Sequence, residues 1–78
     1  MPAQNADYGV VLFGSTQRVL KAEKILKKAG LTIKLIPVPR QISSDCGVCL
    51  RFLWGDQSRV EYLLTSEGMD LDGVVHLE

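Results

Sequence analysis

Two stretches of this chain repeat one pattern, and the repetition restricts what it can fold into. Each opens on an apolar run, Tyr8-Gly9-Val10-Val11-Leu12-Phe13 in the first and Val48 to Trp54 in the second. Each continues with apolar residues at helical spacing. Each helical stretch then stops at a glycine followed by apolar, polar, apolar, as in Gly30-Leu31-Thr32-Ile33 and Gly68-Met69-Asp70-Leu71. A chain of 78 residues builds one thin core, so residues 1–78 are expected to form a single domain.

The first run reads as a strand buried on both faces. Ser15 or Thr16 can cap the following helix by accepting a backbone N–H bond. Val19, Ala22, Leu26 and Ala29 recur at helical spacing, with Leu20 and Ile25 widening the stripe and Lys21, Lys24 and Lys28 opposite. Glu23 and Lys27 form a favourable i,i+4 pair. Thr32 to Pro37 alternates and ends in proline, an edge-strand signature. In the second buried-type strand, Val48, Leu50 and Phe52 should share one face and Cys49 and Arg51 the other. Asp56 is one candidate cap for the second helix, and Ser58 with Glu61 is a rival capping box. Val60, Leu63 and Leu64 form its stripe, and Asp72 to Leu77 is the last strand.

The order β-α-β-β-α-β predicts an α+β fold, a ferredoxin-like βαββαβ sandwich whose antiparallel sheet carries two helices on one face. Strands one and three, the most continuously apolar, belong in the centre. The other sheet face lacks helices, and a homo-oligomer is one way to cover apolar side chains there. A hairpin between strands two and three needs two to five loop residues. The stretch from Pro37 to Asp45 is longer, and long loops on small scaffolds carry function.

Composition narrows the function classes. The chain is 46% hydrophobic and 23% charged, as in ordinary globular proteins, and no stretch approaches a membrane span. Met1 to Asp7 lacks the basic and apolar regions of a secretory signal, so a cytoplasmic location is expected and a membrane partner is not. Net charge is zero but unevenly spread: residues 18–51 hold eight cations against two anions, residues 52–78 one cation against six anions. Solvated surfaces explain this, as does docking to an acidic partner or head-to-tail self-association. Gly14-Ser15-Thr16 begins no Walker-type loop. Sheet recognition of RNA needs exposed aromatics on the central strands. With Phe52 expected under the helices, nucleic acid is not an expected partner. Trp54 reads as a rim-packing aromatic, and His76 stands alone on a terminal strand.

Chemistry concentrates in Ser43-Ser44-Asp45-Cys46-Gly47-Val48-Cys49, where both cysteines lie. The thiolate is the nucleophile, and nearby cations and backbone N–H groups favour it. Arg40 and Arg51 can supply the charge, Gly47 a tight turn with N–H groups, and Ser43 and Ser44 hydroxyl donors. Asp45 opposes thiolate formation unless an arginine pairs with it. Three readings of the Cys46–Cys49 CxxC stand open. A redox disulfide needs a Cα separation of about 4.4–6.8 Å. Extended residues 46–49 would hold the Cα atoms roughly 10 Å apart. A metal site needs four ligands, and with only His76 to add to two cysteines it would have to be shared between subunits. No resident metal or cofactor is therefore expected. The third reading is a single reactive Cys46 with Cys49 as helper or buried core residue.

With those residues in view, the sequence resembles the selenium/sulfur carrier-like family over about residues 8–77. The resemblance rests on Phe13-Gly14-Ser15-Thr16, Ala22-Glu23-Lys24, Ile36-Pro37-Val38-Pro39-Arg40, Ser43-Ser44-Asp45-Cys46-Gly47 and Leu50-Arg51-Phe52. It implies a ferredoxin-like fold and a cysteine, Cys46 here, that holds selenium or sulfur. The Cys-Pro-x-Pro motif of the sulfurtransferase carriers is absent, since Pro37 and Pro39 precede the cysteine.

The expectation that follows is a carrier rather than a turnover enzyme. Cys46 accepts the chalcogen as a persulfide or perselenide from a donor protein and passes it to an acceptor protein. Arg40, Ser43, Ser44, Asp45, Gly47 and Arg51 surround the bound atom, and Cys49 is a second candidate participant. The alternatives are a small ligand-sensing or assembly module without covalent chemistry, and a thiol redox switch.

Overall fold

The computed structural model describes residues 7–40, 42 and 47–77. The chain runs β1 (Tyr8–Leu12), α1 (Thr16–Lys28), β2 (Ile33–Pro37), β3 (Val48–Leu53), a 3-10 turn (Trp54–Asp56), α2 (Gln57–Ser66) and β4 (Gly73–Leu77). The four strands form one sheet in the order β2-β3-β1-β4. Every neighbouring pair is antiparallel. This is the α+β ferredoxin-like sandwich, with the two most apolar strands at its centre.

Alternation along the strands sorts the side chains into two layers. Val11, Phe13, Leu50 and Phe52 lie under the helices and join Val19, Ala22, Leu26, Val60 and Leu64 in the main core. Val10, Leu12 and Cys49 point to the opposite face and form a second, smaller cluster. Val48, Leu50 and Phe52 therefore do share the helix side, with Cys49 on the other.

Both helices end in the same device. Gly30 N–H donates to the Lys27 carbonyl at 3.0 Å and Leu31 N–H to the Leu26 carbonyl at 3.1 Å. Gly68 N–H donates to Thr65 at 2.9 Å and Met69 N–H to Leu64 at 3.0 Å. These are twin Schellman motifs, and each needs a left-handed residue, supplied by Gly30 at φ +83° and Gly68 at φ +78°. Leu31 and Met69, the residues after the glycines, are buried in the core. The rhyme between the two halves is thus a repeated helix stop with its apolar anchor.

The structure refines the local expectations at three places. Leu20 is 43% exposed and Ala29 is exposed. Leu20 lies about 100° around the helix from Val19, outside the narrow face that meets the core, and Ala29 is already the C-cap. Ser15, not Thr16, caps α1, accepting from Arg18 N–H at 3.3 Å. Asp56 does stand at the N-cap position of α2, but the 3-10 turn runs straight into the helix and the Asp56 side chain makes no cap bond. Ser58 lies inside α2 and so cannot open a capping box, and Glu61 accepts from Gln57 Nε2 at 2.8 Å.

Candidate functional site

Four of the residues singled out in the sequence, Ser43, Ser44, Asp45 and Cys46, lie outside the described residues. Arg40, Gly47, Cys49 and Arg51 are described, and with Val38 and Ile42 they define the frame of the loop. Val38 N–H donates to the Gly47 carbonyl at 3.0 Å, which extends the β2–β3 ladder one step past the Pro37–Val48 pair. Ile42 N–H donates to the Pro39 carbonyl at 2.9 Å, a turn that contains Arg40. Arg40 is exposed, and Gly47 is exposed at φ +79°. A Cβ at Gly47 would meet nothing within 4 Å, so the glycine is there for its backbone angle and not for space.

Cys49 occupies a different environment. It lies opposite Ile36 on β3, its relative exposure is 0%, and it clusters with Val10 and Leu12. Ile36, Val38, Ile42, Val75 and Leu77 pack against that cluster. The loop after β2 therefore folds back over the helix-free face, and its two aliphatic residues help close the space above the Cys49 thiol. Such a thiol packs as a small apolar side chain and offers no surface to a protein donor.

Arg51 shares that face, but its guanidinium lies over the Tyr8 ring, 4.1 Å from the centroid. Tyr8 pairs with Leu53, so this contact is at the end of β3 away from the loop. Arg51 stands four residues from Gly47, about 13 Å along an extended strand. The structure thus draws Arg51 toward Tyr8, while Arg40 lies exposed in the turn that leads into the cysteine segment.

On the helix side of the same strands, Trp54 stacks between Phe52, centroids 6.0 Å apart, and His76, 4.4 Å apart. His76 Nε2 lies 3.9 Å from Asp7 Oδ1. Gly9 lies opposite both Phe52 and His76 and leaves the space that the indole fills. A separate groove between the helices is lined by Lys24, Ile25, Lys28, Ala29, Leu63 and Glu67, none of them a cysteine. Among the described residues, no group of three or more His, Cys, Asp or Glu side chains could hold a metal ion. No helix among them is long and apolar enough to cross a membrane.

Sequence reasoning passed over Val38, Ile42 and Tyr8. The available signal was the two aliphatic residues in a loop of polar and proline residues, which have no reason to be there unless they cover something. Tyr8 gave no such signal, because its position at a strand end does not say which face its ring covers or what stacks on it.

Comparison with known proteins adds a family. The model of the family described as "Putative Se/S carrier protein-like" matches residues 8–76. A stretch of 39 residues is 38% identical to "Uncharacterized protein YtiA" of Escherichia coli (strain K12), over 50% of this chain. The match spans 46% of that protein's own length, less than half. No solved structure matches the chain.

Proposed function

This chain belongs to the Se/S carrier protein-like family, and we propose that it carries a sulfur or selenium atom on Cys46 between a donor and an acceptor protein. Family membership supports the cargo. The observation that supports Cys46 over Cys49 is the complete burial of Cys49 beside Val38 and Ile42. A thiol that receives an atom from another protein has to be reachable, and Cys49 is not.

Loading needs no external oxidant. The Cys46 thiolate attacks the terminal sulfur of a donor persulfide, the donor's S–S bond breaks, and the donor thiolate leaves. The new S–S bond leaves Cys46 as a persulfide. A donor perselenide reacts in the same way, with selenium as the transferred atom. Delivery is the same exchange with the acceptor thiolate as attacker. In this reading Arg40 and the hydroxyls of Ser43 and Ser44 stabilise the anionic terminal atom, the Gly47 turn offers N–H groups, and Asp45 orients Arg40. A reducing compartment such as the cytoplasm keeps the empty carrier a thiol.

Anaerobic intact-mass analysis after incubation with a cysteine desulfurase and cysteine tests this. Wild type and Cys49→Ala are expected to gain the mass of one sulfur atom, and Cys46→Ser none. No adduct on wild type, or an adduct that persists in Cys46→Ser, overturns the assignment.

A further inference from the structure

The helix-free face of the sheet carries an unusual charge arrangement. Lys34 on β2 is directly opposite Arg51 on β3, so two cations occupy adjacent positions on one face. Like charges directly opposite on a sheet are destabilising. Arg51 is half-buried and Lys34 exposed. Among the described residues no carboxylate pairs with either; the ion pairs are Glu23 with Lys27 and Asp7 with His76. The strand positions on this face are Tyr8, Val10, Leu12, Lys34, Ile36, Cys49, Arg51, Leu53, Gly73, Val75 and Leu77, and none is acidic.

The surroundings of the two cations are apolar and aromatic. Arg51 lies over the Tyr8 ring, a contact that holds the guanidinium in one orientation. Ile36, Val75 and Leu77 are only partly buried, as is Leu53 opposite Tyr8. A free phosphate would satisfy the cations and leave this apolar border exposed. A second copy of the same face would bring more cations and no carboxylate.

We propose that the Lys34–Arg51–Tyr8 end of the helix-free face docks an acidic, aliphatic segment of a partner protein. Its carboxylates meet Lys34 and Arg51, and its aliphatic side chains cover Leu53, Val75 and Leu77. Arg51, clamped on Tyr8, receives a carboxylate through the two N–H groups of its fork. The loop folds over the opposite end of this face through Val38 and Ile42, so the docked partner lies beside the loop that leads to Cys46. Identification of the segment as part of a sulfur or selenium donor or acceptor rests on the carrier reading; the docking surface itself does not.

The test therefore uses no sulfur or selenium. The full chain, isotopically labelled, is titrated with a capped peptide of alternating Leu and Glu, and its amide shifts are followed by NMR. Shifts are expected at Tyr8, Lys34, Arg51, Val75 and Leu77, fading as sodium chloride rises toward about 0.5 M because screening shortens the reach of the charges. The variant Lys34→Glu supplies the missing carboxylate from within. It is expected to raise Tm by about 2–5 °C as repulsion becomes attraction. It is also expected to weaken the peptide about tenfold or more. Gain of stability with loss of binding separates a docking site from a structural pair. Shifts confined to the lysines of α1, equal binding by Lys34→Glu, or the same shifts produced by inorganic phosphate alone would each overturn the proposal.

Discussion

Gly9 holds the tightest packing requirement among the described glycines. A Cβ there would lie 2.4 Å from Trp54 Cε3 and 2.7 Å from Cζ3, with Phe52 Cζ at 3.0 Å. The indole is stacked against Phe52 and His76, so moving it away from a new Cβ disturbs both stacks. Gly9→Ala should therefore cost about 1–3 kcal/mol, as overpacking does. Urea unfolding followed by Trp54 fluorescence measures it, and an unchanged midpoint would show that the stack yields. Cys49 poses the opposite problem, a side chain that is fully buried. Cys49→Ala removes a sulfur-sized volume from the Val10–Leu12 cluster and should cost about 1–2 kcal/mol, at the low end for large-to-small core changes. Loading at Cys46 should survive it.

At the scale of elements, the two helix stops make a matched pair of experiments. Gly30 and Gly68 have open space where a Cβ would go, so alanine there meets only the left-handed backbone angle. Gly30→Ala and Gly68→Ala should each cost about 1 kcal/mol. The double variant should lose about the sum, since separate caps act independently. Chemical denaturation of the three variants reads this, and a double variant equal to either single one would contradict it. The Glu23–Lys27 pair, 3.3 Å apart with the lysine largely exposed, should matter far less. Lys27→Ala is expected to change stability by no more than about 0.5 kcal/mol, and by less at high salt.

At the scale of the molecule, the loop after β2 helps close Cys49 off from solvent. Val38 and Ile42 lie on the helix-free face, over a cluster that the helices on the other side cannot cover. In a Cys46→Ser background the remaining thiol is Cys49, and its reaction with a maleimide should be slow. Ile42→Ala in that background trims the cover and should raise the labelling rate by about tenfold or more, because local opening governs access to a buried group. Equal rates in the two proteins would mean that Ile42 does not guard Cys49. The same arrangement separates two uses of one face: the loop covers the Cys49 end, and the Lys34–Arg51–Tyr8 end remains for a partner.

Much of this architecture was legible in the amino-acid sequence because it depends on local patterns. Two apolar runs buried on both faces, two amphipathic stripes and two glycine stops specify strands, helices and their order, and few topologies bury such a set. The alternation of Val48, Cys49, Leu50, Arg51 and Phe52 even separated the two faces of β3. The tertiary structure alone decided the contacts made across sequence. Cys49 could be core or catalytic by type, and its burial depends on Val38 and Ile42 arriving from the loop after β2. Arg51 has charge enough to serve the cysteine loop, yet Tyr8, on a neighbouring strand, fixes where that charge is. Periodicity tells each side chain which way to face, but only the register between strands determines what it meets there.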